Sequence, residues 1–130
     1  MILLDTHVVI WLALSPERIS PAAAAAIRQA ASTGEIPGIS VLTLYEISDA
    51  IRRGRIKTVT PHRVFLDRLK GRFRVIPVSE AIAVHAAELV EPFHGDAIDR
   101  IIAATAIVEK CTLISADSRI HAANACTVLW

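Results

Sequence analysis

Ile2-Leu3-Leu4-Asp5-Thr6-His7-Val8-Val9-Ile10-Trp11-Leu12-Ala13-Leu14 is the stretch that decides the fold class. Three consecutive apolar residues stop at a carboxylate. A strand covered on both faces reads this way, whereas a half-exposed strand alternates polar with apolar residues. From His7 to Leu14 the chain continues as a helical turn or two, with Thr6 as its candidate cap. A buried strand that runs through an acid into a helix is the opening of a βα unit.

The rest of the chain repeats that unit. Pro37 to Ser40 reads as a second short strand, followed by helical spacing from Val41 to Arg53 that ends at Gly54. Arg74 to Val78 is a third strand, and Ser79-Glu80 opens a helix to Val90. After a break at residues 91–95 comes a helix from Asp96 to Glu109. Its alanines at 97, 103, 104 and 106 let the backbone lie close to a sheet. Thr112 to Ser115, a short helix from Asp117 to Ala123, and Thr127 to Trp130 complete the series. Two further helices are set off by Ser20-Pro21, running over Ala22 to Ala31 and stopping near Gly34, and by Thr60-Pro61, running to about Lys70. Short apolar strands alternating with helices predict an α/β fold: a three-layer α/β/α sandwich around a mainly parallel sheet, with right-handed crossovers.

With 130 residues the chain is expected to be one domain, 1–130. Its 53% hydrophobic content and mean hydropathy of +0.47 exclude a disordered class. No apolar run approaches the ~18 residues of a membrane span, and the N-terminus has no basic segment before its first acid. Cys111 and Cys126 have no metal-type spacing and read as reduced thiols. The expectation is a soluble cytoplasmic protein without a membrane partner.

Net charge is +1, but it is unevenly spread. Nine Lys or Arg against one acid, Asp67, lie between Arg52 and Arg74, so that segment carries +8 and the remainder −7. Such a division suits a polyanion at one edge and cations at another, with Arg52, Arg53, Arg55 and Lys57 as the candidate RNA-binding group. It equally suits a solvated helix pair kept soluble by its charge.

In an open α/β sheet, function collects beyond the carboxyl ends of the strands. Asp5 and Asp117 fall there directly. Glu46 lies about two turns into the helix after the second strand, within reach of the same edge. Asp96 and Asp99, three apart, share one face at the start of their helix. Taken singly, Asp5 and Asp117 also fit helix caps, Glu46 also fits an exposed helix position, and Asp96 fits the cap role better than a ligand role. Taken together they cannot stay ionised and unpaired, because like charges ~4 Å apart repel by several kcal/mol even at an effective dielectric of ~20. A cation or bound protons must compensate. An all-oxygen set without a Cys/His pair favours Mg2+ or Mn2+ over Zn2+, and the chemistry it serves best is metal-assisted phosphodiester hydrolysis. Five scattered histidines (His7, His62, His85, His94, His121) read as surface or packing residues. Arg100 reads as a salt-bridge partner of Asp99, and Trp11 and Trp130 as core or dimer-interface anchors rather than base-stacking platforms.

Four segments carry a resemblance. Leu3 to Trp11 resembles the opening of PIN-domain toxins of the VapC kind, and Ile39-Ser40-Val41-Leu42-Thr43-Leu44-Tyr45-Glu46-Ile47 their second acidic motif. His94-Gly95-Asp96-Ala97-Ile98-Asp99-Arg100 with the helix that follows resembles the third, and Leu113-Ile114-Ser115-Ala116-Asp117 the fourth. The resemblance implies a PIN fold and Mg2+- or Mn2+-dependent RNA cleavage. In it Asp5, Glu46, Asp99 and Asp117 form the catalytic, metal-holding quartet, and Thr6 and Ser115 line the site. It also implies a cognate antitoxin, a toxin homodimer, and operator DNA bound only through the antitoxin complex. The apolar faces of helices 21–33 and 41–53 are the expected antitoxin groove. One departure stands out: Ala97 occupies a position where close relatives often have proline. Two other classes compete. A phosphohydrolase with an aspartyl intermediate wants a second aspartate two residues after Asp5, where this chain has His7. A catalytically silent protein- or RNA-binding module has no use for an intact acidic set.

Overall fold

The computed structural model describes residues 1–93 and 95–130. The order is β1 (Ile2–Leu4), α1 (Thr6–Leu14), α2 (Pro21–Ser32), β2 (Gly38–Ser40), α3 (Val41–Arg52), α4 (His62–Arg72), β3 (Arg74–Ile76), α5 (Glu80–Glu88), α6 (Ala97–Val108), β4 (Thr112–Ile114), α7 (Ser118–Ala123) and β5 (Val128–Leu129). The five strands form one sheet in the order β3-β2-β1-β4-β5, and every pairing is parallel.

Burial on both faces explains the unbroken apolar strands. Adjacent residues of a strand point to opposite faces. Leu3 and Leu113 pack with Ile82, Ala86, Phe93, Ile102 and Ala104 beneath α5 and α6, with Ile120 of α7 in the same cluster. Their neighbours Leu4 and Ile114 pack with Val8, Val9, Ala23, Ile39, Ile47 and Leu69 beneath α1 to α4. The central strand therefore has no polar side, and the molecule has three layers. Gly38 on β2 marks the tightest approach: a Cβ there would stand 2.9 Å from Ile76 Cδ1 and 3.4 Å from Leu3 Cδ1.

Strand and helix bounds shift by a few residues at their ends. Two caps differ in identity. Asp5, not Thr6, caps α1, its carboxylate accepting from the Thr6 N–H. Thr60 does not cap α4, whose N-cap is Pro61 and has no side-chain hydrogen bond. Ser20, Ser79 and Asp96 cap as their positions predict. Gly54, at φ +72, ends α3 in the left-handed region that favours glycine. No described helix is long and apolar enough to cross a membrane. His94, part of the third sequence motif, lies outside the described residues.

Candidate active site

Asp5 sits where β1 passes into α1, and only 3% of it is exposed. A buried carboxylate is tolerated when donors surround it. Its Oδ1 accepts from the Thr6 N–H at 2.7 Å, its Oδ2 accepts from the Ser115 hydroxyl at 2.7 Å, and His7 Nδ1 lies 3.4 Å from Oδ2. His7 Nε2 accepts the Ala116 N–H at 2.9 Å, which assigns the ring proton to Nδ1, the nitrogen facing Asp5. His7 thus ties the first acid to the loop that carries the fourth. Sequence reasoning set His7 aside with the other histidines; its one signal was its place two residues behind Asp5, in the first turn of α1. Ser115 links the same two regions, because its Oγ also accepts the Asp117 N–H at 3.1 Å. His121 Nε2 contacts the Ser115 carbonyl at 2.7 Å.

Glu46 comes from α3, which starts at the last residue of β2 with Ser40 as its cap. The Thr6 hydroxyl donates to Glu46 Oε1 and also lies 3.2 Å from the hydroxyl of buried Thr43. The Glu46 carboxyl is pushed above its ordinary value of 4.5, first by burial and then by the negative charges of Asp5, Asp99 and Asp96, with the Thr6 bond opposing. Four acids from three separate segments therefore feel one another at one sheet edge.

Asp96 caps α6 by accepting the Asp99 N–H at 3.0 Å, and so fixes the first turn from which Asp99 projects. Asp117 caps α7, its Oδ1 accepting the Arg119 N–H at 2.8 Å. The Arg119 guanidinium then folds back across both acids. Its Nη2 lies 3.0 Å from Asp117 Oδ2 and 3.5 Å from Asp99 Oδ2, and its Nε lies 3.3 Å from Asp117 Oδ1. Burial works to raise the Asp117 carboxyl, but the hydrogen bonds and charge of Arg119 outweigh it and hold the group below its ordinary range. Arg119 was not singled out from the sequence. Its signal is a cation in the first turn of a helix, the end that favours anions.

The negative charge is thus met by donors in three places: the Thr6 N–H and the Ser115 hydroxyl at Asp5, the Thr6 hydroxyl at Glu46, and a guanidinium that spans Asp99 and Asp117. The four carboxylates line one edge without closing on a point. Among the described residues no three Asp, Glu, His or Cys side chains stand close enough to hold one ion as they lie. Two shallow cavities flank them. One, about 240 Å³, includes Thr6, Glu46, Arg55 and Ile98 in its walls; the other, about 210 Å³, is lined by His7, Trp11, Ala116 and Asp117. The donor set is all oxygen, which fits Mg2+ or Mn2+.

The basic group divides. Arg52 and Arg53 both pair with Asp49, at 2.7 and 2.8 Å, and the Arg52 bond above all holds the Asp49 carboxyl below its ordinary value. Arg55 lines the cavity beside Glu46, and Lys57 is exposed on the following loop. Arg68 and Arg72 line a larger cavity with Ala13 and Phe65, none of whose lining residues is one of the site acids. Arg100 donates to the carbonyls of Ala86 at 3.0 Å, Ala87 at 3.3 Å and Leu89, so it caps the end of α5 from α6. Trp11 and Trp130 are half-buried, with ring centroids 5.6 Å apart, and the Arg18 guanidinium lies 4.1 Å over Trp11.

Comparison with known proteins agrees with this architecture. The family model for the PIN domain matches residues 2–125. Ribonuclease VapC22 of Mycobacterium tuberculosis is 31% identical over 120 residues, 92% of this chain and 89% of that protein. Among solved structures, FitAcB from Neisseria gonorrhoeae superposes with a TM-score of 0.69 at 25% identity, covering 100% of this chain and 97% of that one. VapBC2 from Rickettsia felis, bound to a DNA fragment from its promoter, superposes with a TM-score of 0.74 at 20% identity, covering 99% and 98%. The second of these likenesses speaks to the fold alone. On the family match and the 31% identity together, the chain belongs to the PIN-domain family.

Proposed function

We propose that this protein is a Mg2+- or Mn2+-dependent endoribonuclease and the toxin of a type II toxin–antitoxin pair. The observation that carries the reading is the gathering of carboxylates at one sheet edge: Asp5 bonded to Ser115, Glu46 bonded to Thr6, Asp99 on the turn capped by Asp96, and Asp117 tied to Ser115 through its N–H. Carboxylates gathered to that degree on a strand edge suit a cation and a phosphodiester. The relative named Ribonuclease VapC22, 31% identical over 92% of this chain, supports the biological half of the proposal.

Asp5, Glu46, Asp99 and Asp117 would hold the ion, which when bound supplies charge neutralisation at the phosphate and an activated water. The chain's own residues do the positioning. Ser115 and His7 fix Asp5, Thr6 fixes Glu46, and Asp96 fixes the turn that presents Asp99. Arg55, which lines the cavity beside Glu46, would meet an RNA phosphate, and the exposed Arg52, Arg53 and Lys57 would extend that contact. The antitoxin would cover the face bearing the exposed Val41 and Tyr45 of α3, and operator DNA would be bound only by the toxin–antitoxin complex. A homodimer working in the cytoplasm completes the proposal.

Asp5→Asn and Asp99→Asn should each reduce RNA cleavage to background and abolish growth inhibition, while circular dichroism and urea unfolding still report a folded protein. Cleavage retained by both variants ends the proposal. A second reading, a catalytically silent PIN-like module that binds protein or RNA, draws on the pairing of Asp99 and Asp117 with Arg119 in place of an ion. It predicts that titration with Mn2+ gives no binding heat.

A further inference from the structure

We propose that Arg119 is the built-in counter-cation of the ion-free site, and that a divalent ion binds only by displacing it from Asp99 and Asp117. The inference rests on the metal-dependent reading above and deepens it. Its first support is geometric: one guanidinium reaches both acids, with contacts of 3.0 and 3.3 Å to Asp117 and 3.5 Å to Asp99. Acids that would share an ion are instead turned onto a monovalent side chain. In keeping with this, no three potential ligands among the described residues converge as they stand.

The second support is the position of Arg119 in α7. It is the second residue of the helix, where the free N–H groups favour acids over cations. The helix gains nothing from a cation there, whereas the two neighbouring carboxylates do. The third is mobility in the physical sense of what holds the side chain. Arg119 is 61% exposed, so it can swing into solvent without opening the core. Each surface contact of this sort is weak, and a divalent ion outcompetes it at modest cost.

Two consequences separate this from a purely structural salt bridge. Removing the guanidinium should leave the ion-free protein less stable, because Asp99 and Asp117 lose the cation that bridges them. It should also strengthen ion binding, because the guanidinium no longer has to be displaced and a like charge beside the ion is gone. A merely structural residue would weaken both.

The test is calorimetric titration of the chelator-stripped full chain with MnCl2 at neutral pH and low salt. Arg119→Gln should bind Mn2+ about three- to tenfold more tightly than the wild type, the size of a surface charge–charge contribution. Arg119→Lys, which keeps the charge, should stay near the wild-type affinity. The gain in the Gln variant should shrink as salt rises. Unchanged or weaker Mn2+ affinity in Arg119→Gln overturns the inference while leaving the nuclease reading intact, provided the wild type binds. Absence of binding in both the wild type and Arg119→Gln overturns the metal reading itself. Should the Gln variant fail to fold without an ion, Arg119→Met refolded in Mn2+ and titrated against a fluorescent chelator gives the same comparison.

Discussion

Replacing Ser115 by alanine is the most direct probe of how the fold holds its buried carboxylate. Ser115 is wholly buried, and its hydroxyl makes two bonds: it donates to Asp5 Oδ2 at 2.7 Å and accepts the Asp117 N–H at 3.1 Å. The first is a bond to a charged group, worth about 1.5–3 kcal/mol net. The second joins neutral partners nearer the surface, where water can substitute, so it adds roughly 0.5–1 kcal/mol. Alanine lacks only the hydroxyl oxygen, so the gap it leaves is a single atom and the packing cost it adds is small. Ser115→Ala should therefore lower the unfolding free energy by about 2–4 kcal/mol, a large share of the roughly 5–15 kcal/mol of an ordinary domain. Urea denaturation in the presence of a chelator measures it, with an unchanged m-value. The decisive control is the same substitution in an Asp5→Asn background. There the charge-assisted part is gone, and the cost should fall by about 1–2 kcal/mol. A cost under about 0.5 kcal/mol, or an equal cost in both backgrounds, refutes the view that Ser115 acts through the Asp5 charge.

Further outcomes are open to measurement. Because the folded-state carboxyl of Glu46 is raised above 4.5, its contribution to stability is fully present below that value and is lost as pH rises through the raised one; stability of the chelated protein should fall across that window. Glu46→Gln should remove that slope, which parallel urea titrations at several pH values would detect. Arg100→Met should cost about 2–4 kcal/mol, since the carbonyls of Ala86, Ala87 and Leu89 lose their donor, and hydrogen exchange should localise the loss to the end of α5.

Some of this was legible because it depends on local pattern alone. Ile2-Leu3-Leu4 and Thr112-Leu113-Ile114 announce strands covered on both sides, and Leu3 and Leu4 do enter opposite cores. Serine before a helical run at 20 and 79 predicts caps that form, and Asp96 was correctly read as one. The caps of α1 and α4 are Asp5, one of two caps the sequence offers there, and Pro61 rather than Thr60, because any of several adjacent Thr, Asp or Pro residues suits a helix start. Only backbone geometry chooses among them.

The sequence by itself determined the layered α/β class and the edge beyond which Asp5 and Asp117 fall, because strand periodicity and the position of those two acids after β1 and β4 are properties of neighbouring residues. What only the tertiary structure decided is how the charge there is balanced. His7 reaches Ala116, Ser115 reaches Asp5, and Arg119 reaches Asp99 across separations of 109, 110 and 20 residues. Contacts of that span exist only after β1 and β4 pair and α6 packs against them, and no local pattern in the chain encodes which side chain will stand opposite which.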